Sequence, residues 1–346
     1  MPQTQHVNLP ARRSLRLACG TALSLALSFG LALPIPFIAP MLTVIVLSSM
    51  PRPLPLKAML SLPLIAALTT GAGLLLIPLL HHAPLSALLL VLLGLFLSFR
   101  YGLRGGNPLL TIFLVIGLTM ISAAGRFEFA LGSMVVEALL KGLLVCLLIV
   151  WVSHQLFAEP PNAPLASAPQ PTSSTEINWI ALRGALVVLP AYLLALLNPA
   201  SYMPLIMQSV NLGQQACSIN ARQAGRELLG STLLGGLLAI MLWTALSLFT
   251  HLWLFFLWTL LFSLLVARKR YGLSPSKLSP GFWQNSLTTM LLLLGQSVQD
   301  SVVGKDVYSA FAIRMALFIA VTLYACAAVY LLDAYRKTPL SRPTTT

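Results

Sequence analysis

The tetrapeptide Arg-Tyr-Gly-Leu occurs twice in this chain, at residues 100–103 and again at residues 270–273. Each copy follows a long apolar run and precedes another one. Other markers recur in the same order and at a similar separation: Arg16 with Arg183, Pro40 with Pro204, Thr119 with Thr289, and Lys141 with Arg314. Five ordered markers favour a tandem duplication, and internal repeats within a membrane protein are typical of transporters.

The composition places the protein in a membrane. Hydrophobic residues make up 58% of the chain and charged residues only 8%, with a mean hydropathy of +0.87. A soluble domain carries about a quarter charged residues, so a soluble protein is excluded. The apolar runs have helical length and do not alternate, so helices are favoured over a barrel of strands.

The pattern predicts an all-α protein of about twelve transmembrane helices, arranged as two parallel six-helix repeats related by a pseudo-two-fold axis along the membrane normal. The first repeat covers residues 14–153, with segments near 14–33, 37–50, 58–80, 85–99, 107–122 and 129–153. The second covers residues 178–333, with segments near 178–197, 201–216, 228–249, 251–267, 282–297 and 308–333. A linker rich in Pro, Ala and Ser at 154–177 separates them, and short tails at 1–13 and 334–346 complete the chain. Several segments are shorter than about 20 residues, so the number of full crossings stays open by about two.

The net charge of +13 is distributed unevenly. With twelve spans and a cytoplasmic start, most cations fall in inner loops and tails: Arg12, Arg13, Arg16, Arg52, Lys57, Arg100, Arg104, Arg222, Arg226, Arg268, Lys269, Arg270, Lys277, Arg336, Lys337 and Arg342. This matches the positive-inside rule and predicts an inner-membrane protein with both termini in the cytoplasm. It also argues against nucleic acid as a partner. The first run resembles a cleaved signal peptide, but the repeat of Arg16 favours an uncleaved helix.

Neither a nucleotide site nor a metal site is indicated. The chain has no phosphate-binding loop, its four cysteines stand singly in apolar segments, and no paired nucleophile and base is recognisable. We therefore expect no enzyme activity and no cofactor.

Two short segments contain a proline at matching places. Pro40 and Pro204 lie near the outer ends of the second and eighth segments. Interrupted helices at equivalent positions of two repeats indicate a transport site. The alternative is that each proline occupies a first helical turn, where it does no harm.

Ionisable residues within the apolar segments are the main site candidates, because a charge in the membrane is costly unless paired or hydrated. Glu137 and Lys141 lie one turn apart in the sixth segment, and Arg314 occupies the matching place in the twelfth. Under the pseudo-two-fold axis, Lys141 and Arg314 would face each other with an anion between them. The alternatives are an internal Glu137–Lys141 ion pair, and for Arg314 either contact with the outer surface or pairing with Asp300 or Asp306.

Polar residues of the eighth and eleventh segments are the remaining candidates. Gln208 and Asn211 lie on roughly one face of the eighth segment, and Gln296 and Asp300 lie near the outer end of the eleventh. They either line a substrate path or form hydrogen bonds between helices.

Two stretches resemble a known superfamily. Arg-Leu-Ala-Cys-Gly at residues 16–20 with Pro-Ile-Pro-Phe-Ile-Ala-Pro-Met at 34–41, and Gly-Gln-Ser-Val-Gln-Asp-Ser at 295–301 with Ala-Phe-Ala-Ile-Arg at 310–314, are similar to the opening and closing motifs of the fusaric acid resistance and aromatic acid exporter superfamily. The likeness is to a small branch without large soluble domains. It implies a proton-driven inner-membrane exporter of aromatic or related carboxylates, working beside a periplasmic membrane-fusion adaptor, with Asp300 and Arg314 as the residues that match the family pattern.

These observations predict an efflux transporter of organic anions. Lys141, Arg314, Gln208, Asn211 and Gln296 would bind the substrate, and Glu137 and Asp300 would carry protons. The expected partners are small organic anions, protons and membrane lipids, with a homo-oligomer left open. A passive anion channel and a non-transporting scaffold of an envelope complex are the alternatives.

Overall fold

The structure is a computed structural model that describes residues 9–50, 52–160, 174–217, 223, 225–248 and 251–337. These residues form twelve helices and no strand. The first six are α1 (Leu9–Gly30), α2 (Ile38–Ser49), α3 (Leu56–His82), α4 (Pro84–Leu103), α5 (Pro108–Phe127) and α6 (Phe129–Leu156). The second six are α7 (Ser174–Leu197), α8 (Pro199–Ala216), α9 (Gly225–Leu248), α10 (Leu252–Arg270), α11 (Pro280–Val302) and α12 (Val307–Lys337). The prediction of an all-helical chain with twelve helical segments is confirmed.

Several helices begin with a capping residue followed by proline. Asn107, Asn198 and Ser279 each accept a backbone hydrogen bond from the first turn of α5, α8 and α11. The proline that follows each cap needs no hydrogen-bond partner for its nitrogen in that turn. These short motifs set the starts of three helices that become largely buried.

The predicted tails and linker lie partly outside the described residues. This applies to residues 1–8, 161–173 and 338–346. Within the described part, α1 begins five residues before the expected segment and α12 continues to Lys337.

Eight of the described helices are long and apolar enough to cross a membrane: α3, α4, α5, α6, α7, α9, α10 and α12. Of the other four, α2 has only 12 residues, and α1, α8 and α11 carry more polar side chains. The polar helices are also interior ones, since every residue from Asn285 to Ser297 of α11 is buried. The outer helices α3, α4 and α12 instead expose large apolar side chains such as Leu68, Leu85 and Leu323. The chain is thus a multi-pass membrane protein with its polar surface turned inward.

Contacts between the halves define the two ends of the bundle. The guanidinium of Arg270, at the end of α10, donates to the carbonyl of Ser48 at the end of α2 (3.2 Å). At the opposite end, the Gln299 amide donates to the carbonyl of Pro34 in the α1–α2 connection (3.3 Å). We call the first the basic end, because Arg13, Arg16 and residues 268–270 lie there, and the second the distal end.

Some helix contacts occur at corresponding places in the two halves. In the first half α1 contacts α2 and α6, and in the second α7 contacts α8 and α12. Between the halves, α1 packs against α10 and α4 packs against α7.

The two predicted proline positions differ. Pro40 is the third residue of α2 and lies in its first turn, whereas Pro204 lies inside α8, five residues after Pro199. Pro40 therefore fits the alternative of a proline in the first helical turn, where no hydrogen bond is lost. Pro204 instead interrupts the backbone hydrogen bonding of α8.

The two Arg-Tyr-Gly-Leu copies also differ. The first copy completes α4, whereas α10 ends at Arg270 and Gly272 follows with φ of +76°. Gly272 takes a left-handed conformation that suits glycine, while Gly102 is helical.

Candidate functional site: a polar stripe inside the bundle

One face of α11 carries four polar side chains. Asn285, Thr289, Gln296 and Asp300 are separated by four, seven and four residues, so they lie on one side of the helix. All four are buried. At 1.5 Å per residue they extend over about 22 Å, most of the roughly 30 Å hydrocarbon core of a bilayer. We call these four residues the polar stripe.

The inner part of the polar stripe is hydrogen-bonded to α8 and α9. The Gln208 amide donates to the Thr289 hydroxyl (3.1 Å) and to the Thr232 hydroxyl (3.4 Å). The Asn285 amide donates to the Ser231 hydroxyl (2.7 Å). Thr232 also contacts the hydroxyl of a sixth residue, Thr322 of α12 (3.3 Å). Four helices thus contribute polar groups to one buried network.

Close approach of α9 to α11 makes this network possible. A Cβ atom on Gly235 would lie 2.6 Å from the Cβ of Thr289 and 2.7 Å from the carbonyl oxygen of Ser286. Only glycine fits at that crossing, which brings the α9 hydroxyls within reach of α11.

The polar stripe is interrupted in the middle of the helix. Between Thr289 and Gln296, Leu292 and Leu293 are fully or almost fully buried. Beyond them, neither polar atom of the buried Gln296 amide has a hydrogen-bond partner within the described chain, and Asn285 Oδ1 also lacks one. A buried amide without partners costs several kcal/mol by transfer to an apolar solvent, about 2–7. Such a group is therefore a candidate for binding something that the protein itself does not supply.

An ion pair closes the distal end. Arg314 of α12 donates two hydrogen bonds to the Asp300 carboxylate, one of them from Nη2 to Oδ1 at 2.9 Å. The Asp300 side chain is 7% exposed and that of Arg314 is 22% exposed. The arginine is thus the member that water or a solute can reach. The alternative that paired Arg314 with Asp300 is confirmed.

A second carboxylate lies at the basic end. Glu227 is buried in a π-helical turn, Gly225–Leu229, that opens α9. Its carboxylate accepts hydrogen bonds from the backbone nitrogen (3.4 Å) and the hydroxyl of Ser279, the residue that caps α11. Sequence reasoning missed Glu227, although an acid inside the first turns of an apolar segment is a readable signal. π-Turns are frequent at functional sites.

Asn211 belongs to a different contact. It lies three residues after Gln208, and its amide is 3.9 Å from the sulfur of Met41 in α2. The structure therefore places Gln208 of α8 against Thr289 and places Gln296 and Asp300 further along the polar stripe, while Asn211 contacts the first half.

The other predicted pair lies on the outside. Glu137 and Lys141 form an ion pair in which the two side chains are 52% and 51% exposed. The helices that α6 packs against are α1, α2, α3 and α5, so its free face is on the perimeter. The expected placement of Lys141 in the interior, opposite Arg314, is corrected: each cation is neutralised by a carboxylate of its own half. The alternative, an ion pair between Glu137 and Lys141 within the same helix, describes the observed contact.

Buried arginines near the basic end pair the first helix of each half with a carboxylate in the last helix or shortly after it. Arg16 of α1 contacts the carboxylate of Glu159 (2.8 Å), which also accepts two hydrogen bonds from Arg13 (3.0 and 2.7 Å). Arg183 of α7 contacts the carboxylate of Asp333 in α12 (3.0 Å). Burial raises the pKa of Glu159, but hydrogen bonds from Arg13 and the charge of Arg16 outweigh it and leave the pKa below its usual range. These pairs hold the helices together and are not open to a ligand.

An apolar pocket of about 290 Å³ opens at the distal end between α1, α9, α10 and α11. Val298, Ser301 and Val302 line it, and these lie on the side of α11 opposite Gln296 and Asp300. The pocket is therefore separate from the polar stripe.

Within the described residues, no group of His, Cys, Asp and Glu is arranged to hold a metal ion. All four cysteines are free thiols.

The first half of the chain is similar to a known family. The model of that family, described as a protein of unknown function (DUF2955), matches residues 13–153. These residues run from the first turns of α1 to near the end of α6, so the similarity lies in the half that precedes the polar stripe. No curated protein matches the chain, and no solved structure matches it.

Proposed function

We propose that the protein is a secondary transporter that exports organic anions across the cytoplasmic membrane at the expense of the proton gradient. The polar stripe carries this proposal. It supplies a line of buried polar groups across most of a membrane's thickness, with an accessible cation at one end and a buried carboxylate at each end. Polar groups of this kind inside a membrane mark solute or proton paths.

The substrate would bind at Arg314. A guanidinium binds a carboxylate with two parallel hydrogen bonds, the arrangement that Asp300 adopts in this structure. Asp300 thus occupies the place that a substrate carboxylate would take. Gln296, one turn before Asp300 and without partners of its own, supplies donors and an acceptor for the rest of the solute.

Proton exchange at Asp300 would drive the cycle. A proton from the distal side neutralises Asp300 and frees Arg314 for an anion arriving from the basic end. When that proton leaves Asp300 towards Glu227, the Asp300–Arg314 pair forms again and displaces the anion to the distal side. One proton then moves inward for each anion that moves outward. Leu292 and Leu293 separate the two parts of the polar stripe, as an occluded state requires.

The orientation follows from charge. The basic end carries Arg13, Arg16, Arg100 and residues 268–270, so the positive-inside rule places it in the cytoplasm. The polar stripe then runs from Asn285, on the cytoplasmic side with Glu227, to Asp300 on the periplasmic side. The likeness of residues 295–301 and 310–314 to exporters of aromatic acids favours aromatic or related carboxylates as substrates.

The proposal includes a tandem duplication with parallel halves. Three features support it: the α1–α10 packing matches the α4–α7 packing, Arg16–Glu159 matches Arg183–Asp333, and Asn107-Pro108 matches Ser279-Pro280 as a helix start. These three features can recur in the two halves even where the remaining residues of the halves differ.

The test is uptake of radiolabelled aromatic and aliphatic carboxylates into inverted vesicles that contain the protein, with and without an acidic lumen. We expect accumulation that depends on the gradient. Arg314→Ala should abolish flux, and Asp300→Asn should abolish accumulation against a gradient while the protein stays in the membrane at normal abundance. Lys305→Ala and Asp306→Asn change exposed residues of the neighbouring loop and are the matched controls.

If the labelled carboxylate only equilibrates across the vesicle membrane, with or without the proton gradient, the protein is a passive channel and not an exporter. Unchanged accumulation in both variants would remove Asp300 and Arg314 from the mechanism. Flux of no acid, with abundance lowered by each variant, would identify the pair as structural and favour a scaffold.

A further inference from the structure

One buried histidine at the basic end has a ring nitrogen without a hydrogen-bond partner. His154 lies in the last turn of α6 and is 5% exposed. Its Nδ1 is 2.8 Å from the carbonyl oxygen of Val150. Because a carbonyl only accepts hydrogen bonds, Nδ1 carries the proton of the neutral ring and Nε2 carries a lone pair. Nε2 is buried and has no partner within the described chain, and a buried polar atom of this kind requires an explanation.

The packing of α6 on α2 places this ring at the C-terminal end of α2. Gly142 of α6 lies against Ile38, the first residue of α2. Twelve residues further along each helix, His154 lies beside the backbone carbonyl of Met50. The two helices are therefore parallel and stay in the same register over their common length.

The C-terminal end of α2 has carbonyl groups that the helix itself does not satisfy. The Ser48 carbonyl accepts a hydrogen bond from Arg270 (3.2 Å). The sequence after Met50 has proline at positions 51, 53 and 55, and proline has no N–H to donate. Within the described residues, no donor reaches the Met50 carbonyl. A helix C-terminus also carries a partial negative charge, which favours a cation beside it.

Two charged groups face the ring, and they act in opposite directions. Arg16 of α1 opposes a positive charge on His154, and Glu159, which follows α6, favours one. Glu159 is at the same time the counter-ion of Arg13 and Arg16. Among the described residues of α3 and α5, the other helices that pack against α6, no charged group comes near the ring.

From this geometry we infer that His154 forms a proton-dependent contact between α6 and the C-terminal end of α2. The neutral ring is hydrogen-bonded to α6 alone. A proton taken from solution by the Nε2 lone pair makes Nε2 a donor, and the Met50 carbonyl is the acceptor beside it. The imidazolium then joins the two helices, with Glu159 as its counter-ion, and the proton returns to solution when the pH rises. Histidine is the side chain whose charge ordinarily changes between pH 5 and 8.

The contact acts on a helix that supports the polar stripe. α2 packs against α11 as well as against α6, so fixing the end of α2 fixes one of the supports of α11. That the proton comes from the cytoplasm rests on the orientation given under the proposed function. The contact itself does not depend on transport.

An NMR titration of a single histidine tests the protonation. Replacing His6, His81, His82 and His251 by glutamine leaves His154 as the only histidine of the chain. The protein is labelled with ¹³C at histidine Cε1 and studied in lipid nanodiscs. We expect the signal to shift with one midpoint between pH 5 and 8. A signal that stays constant over this range would overturn the inference.

A spin label at the end of α2 tests the contact. Ser49 is exposed, so Ser49→Cys can be labelled in a chain whose native cysteines are replaced by alanine. We expect the label to be less mobile at pH 5.5 than at pH 8, with the midpoint found by NMR. His154→Gln should abolish this pH dependence, whereas His82→Gln, at an exposed histidine of the distal end, should keep it.

Mobility that does not change with pH, or that changes equally in His154→Gln, would overturn the contact between α6 and α2. Both measurements use neither a substrate nor a proton gradient. Their outcome is therefore distinguishable from the failure of the transport test.

Discussion

Replacing Glu159 by glutamine removes the single negative charge that Arg13 and Arg16 share at the basic end. Arg16 is 2% exposed and the Glu159 side chain 9%, so the variant leaves a buried guanidinium without a counter-ion. Removing one partner of a buried pair costs about 3–5 kcal/mol. Glutamine keeps one acceptor oxygen and Arg13 is more hydrated, so we expect the lower end, a loss of about 3 kcal/mol in the free energy of unfolding.

The second half provides a graded comparison. Asp333 is 20% exposed, and its partner Arg183 also donates to the carbonyl of Ala216. Asp333→Asn therefore removes a wetter contact and should cost about 1.5 kcal/mol, the value of a hydrogen bond to a charged group. We therefore expect Glu159→Gln to lower the free energy of unfolding more than Asp333→Asn does.

Unfolding in mixed micelles titrated with a denaturing detergent measures both losses. Tryptophan fluorescence follows the transition, and labelling of the buried Cys146 thiol gives an independent probe. Refutation would be a Glu159→Gln loss below about 0.5 kcal/mol, the range of ordinary surface substitutions, or a larger loss for Asp333→Asn.

The same pair predicts a pH dependence. The pKa of Glu159 is lower in the folded protein than its ordinary value of 4.5. Its contribution is therefore complete above pH 4.5 and is lost as the pH falls through the lower folded-state pKa. The free energy of unfolding of the wild type should therefore fall as the pH is lowered below 4.5. The Glu159→Gln variant should lack this part of the pH dependence.

Two further predictions concern helix packing and the Glu227 carboxylate at the basic end. Gly73→Ala should lower the yield of folded protein, because its Cβ would lie 2.0 Å from the carbonyl oxygen of Gly117 and one overpacked methyl group costs about 1–3 kcal/mol of stability. Gly71→Ala, with no atom within 4 Å of its Cβ, should fold normally. Equal yields of the two variants by size-exclusion chromatography would disprove the clash. Glu227→Gln should retain downhill anion flux in inverted vesicles but lose accumulation driven by the proton gradient. Glu128→Gln, which changes an exposed acid at the distal end, should retain both. Full coupling in Glu227→Gln would exclude Glu227 as a proton carrier.

The helices were predictable because their signals are local. Apolar length, cap-proline pairs such as Asn107-Pro108 and the basic residues in the last turn of α10 all act within a few residues of the features they determine. The expected segments accordingly agree with the helices to within a few residues at most ends. Burial was harder to predict, since α11 is more buried than α3 although its sequence is more polar.

The direction of each polar side chain was not predictable in the same way. Glu137–Lys141 and Asp300–Arg314 are both charged pairs near the distal ends of apolar segments, yet one faces outward and the other joins two helices. Which face of α6 meets α2 depends on contacts between distant parts of the chain. Spacing along the sequence shows that two residues share a face, but not what that face meets. Glu227 was missed for the same reason, since its role depends on Ser279.

Some helix contacts recur in the two halves, but the interior side chains of the two halves differ chemically. At the offsets of the recurring markers, Gln208 corresponds to Val44, Asn211 to Leu47, and Asn285 to Val115. Val44, Leu47 and Val115 are buried apolar residues of α2 and α5, so they provide packing where the second half provides hydrogen bonds. A symmetric carrier would line its path with groups from both repeats. Within the described residues, the polar stripe and its hydrogen-bond partners lie instead on α8, α9, α11 and α12, so the proposed path is formed by the second half alone.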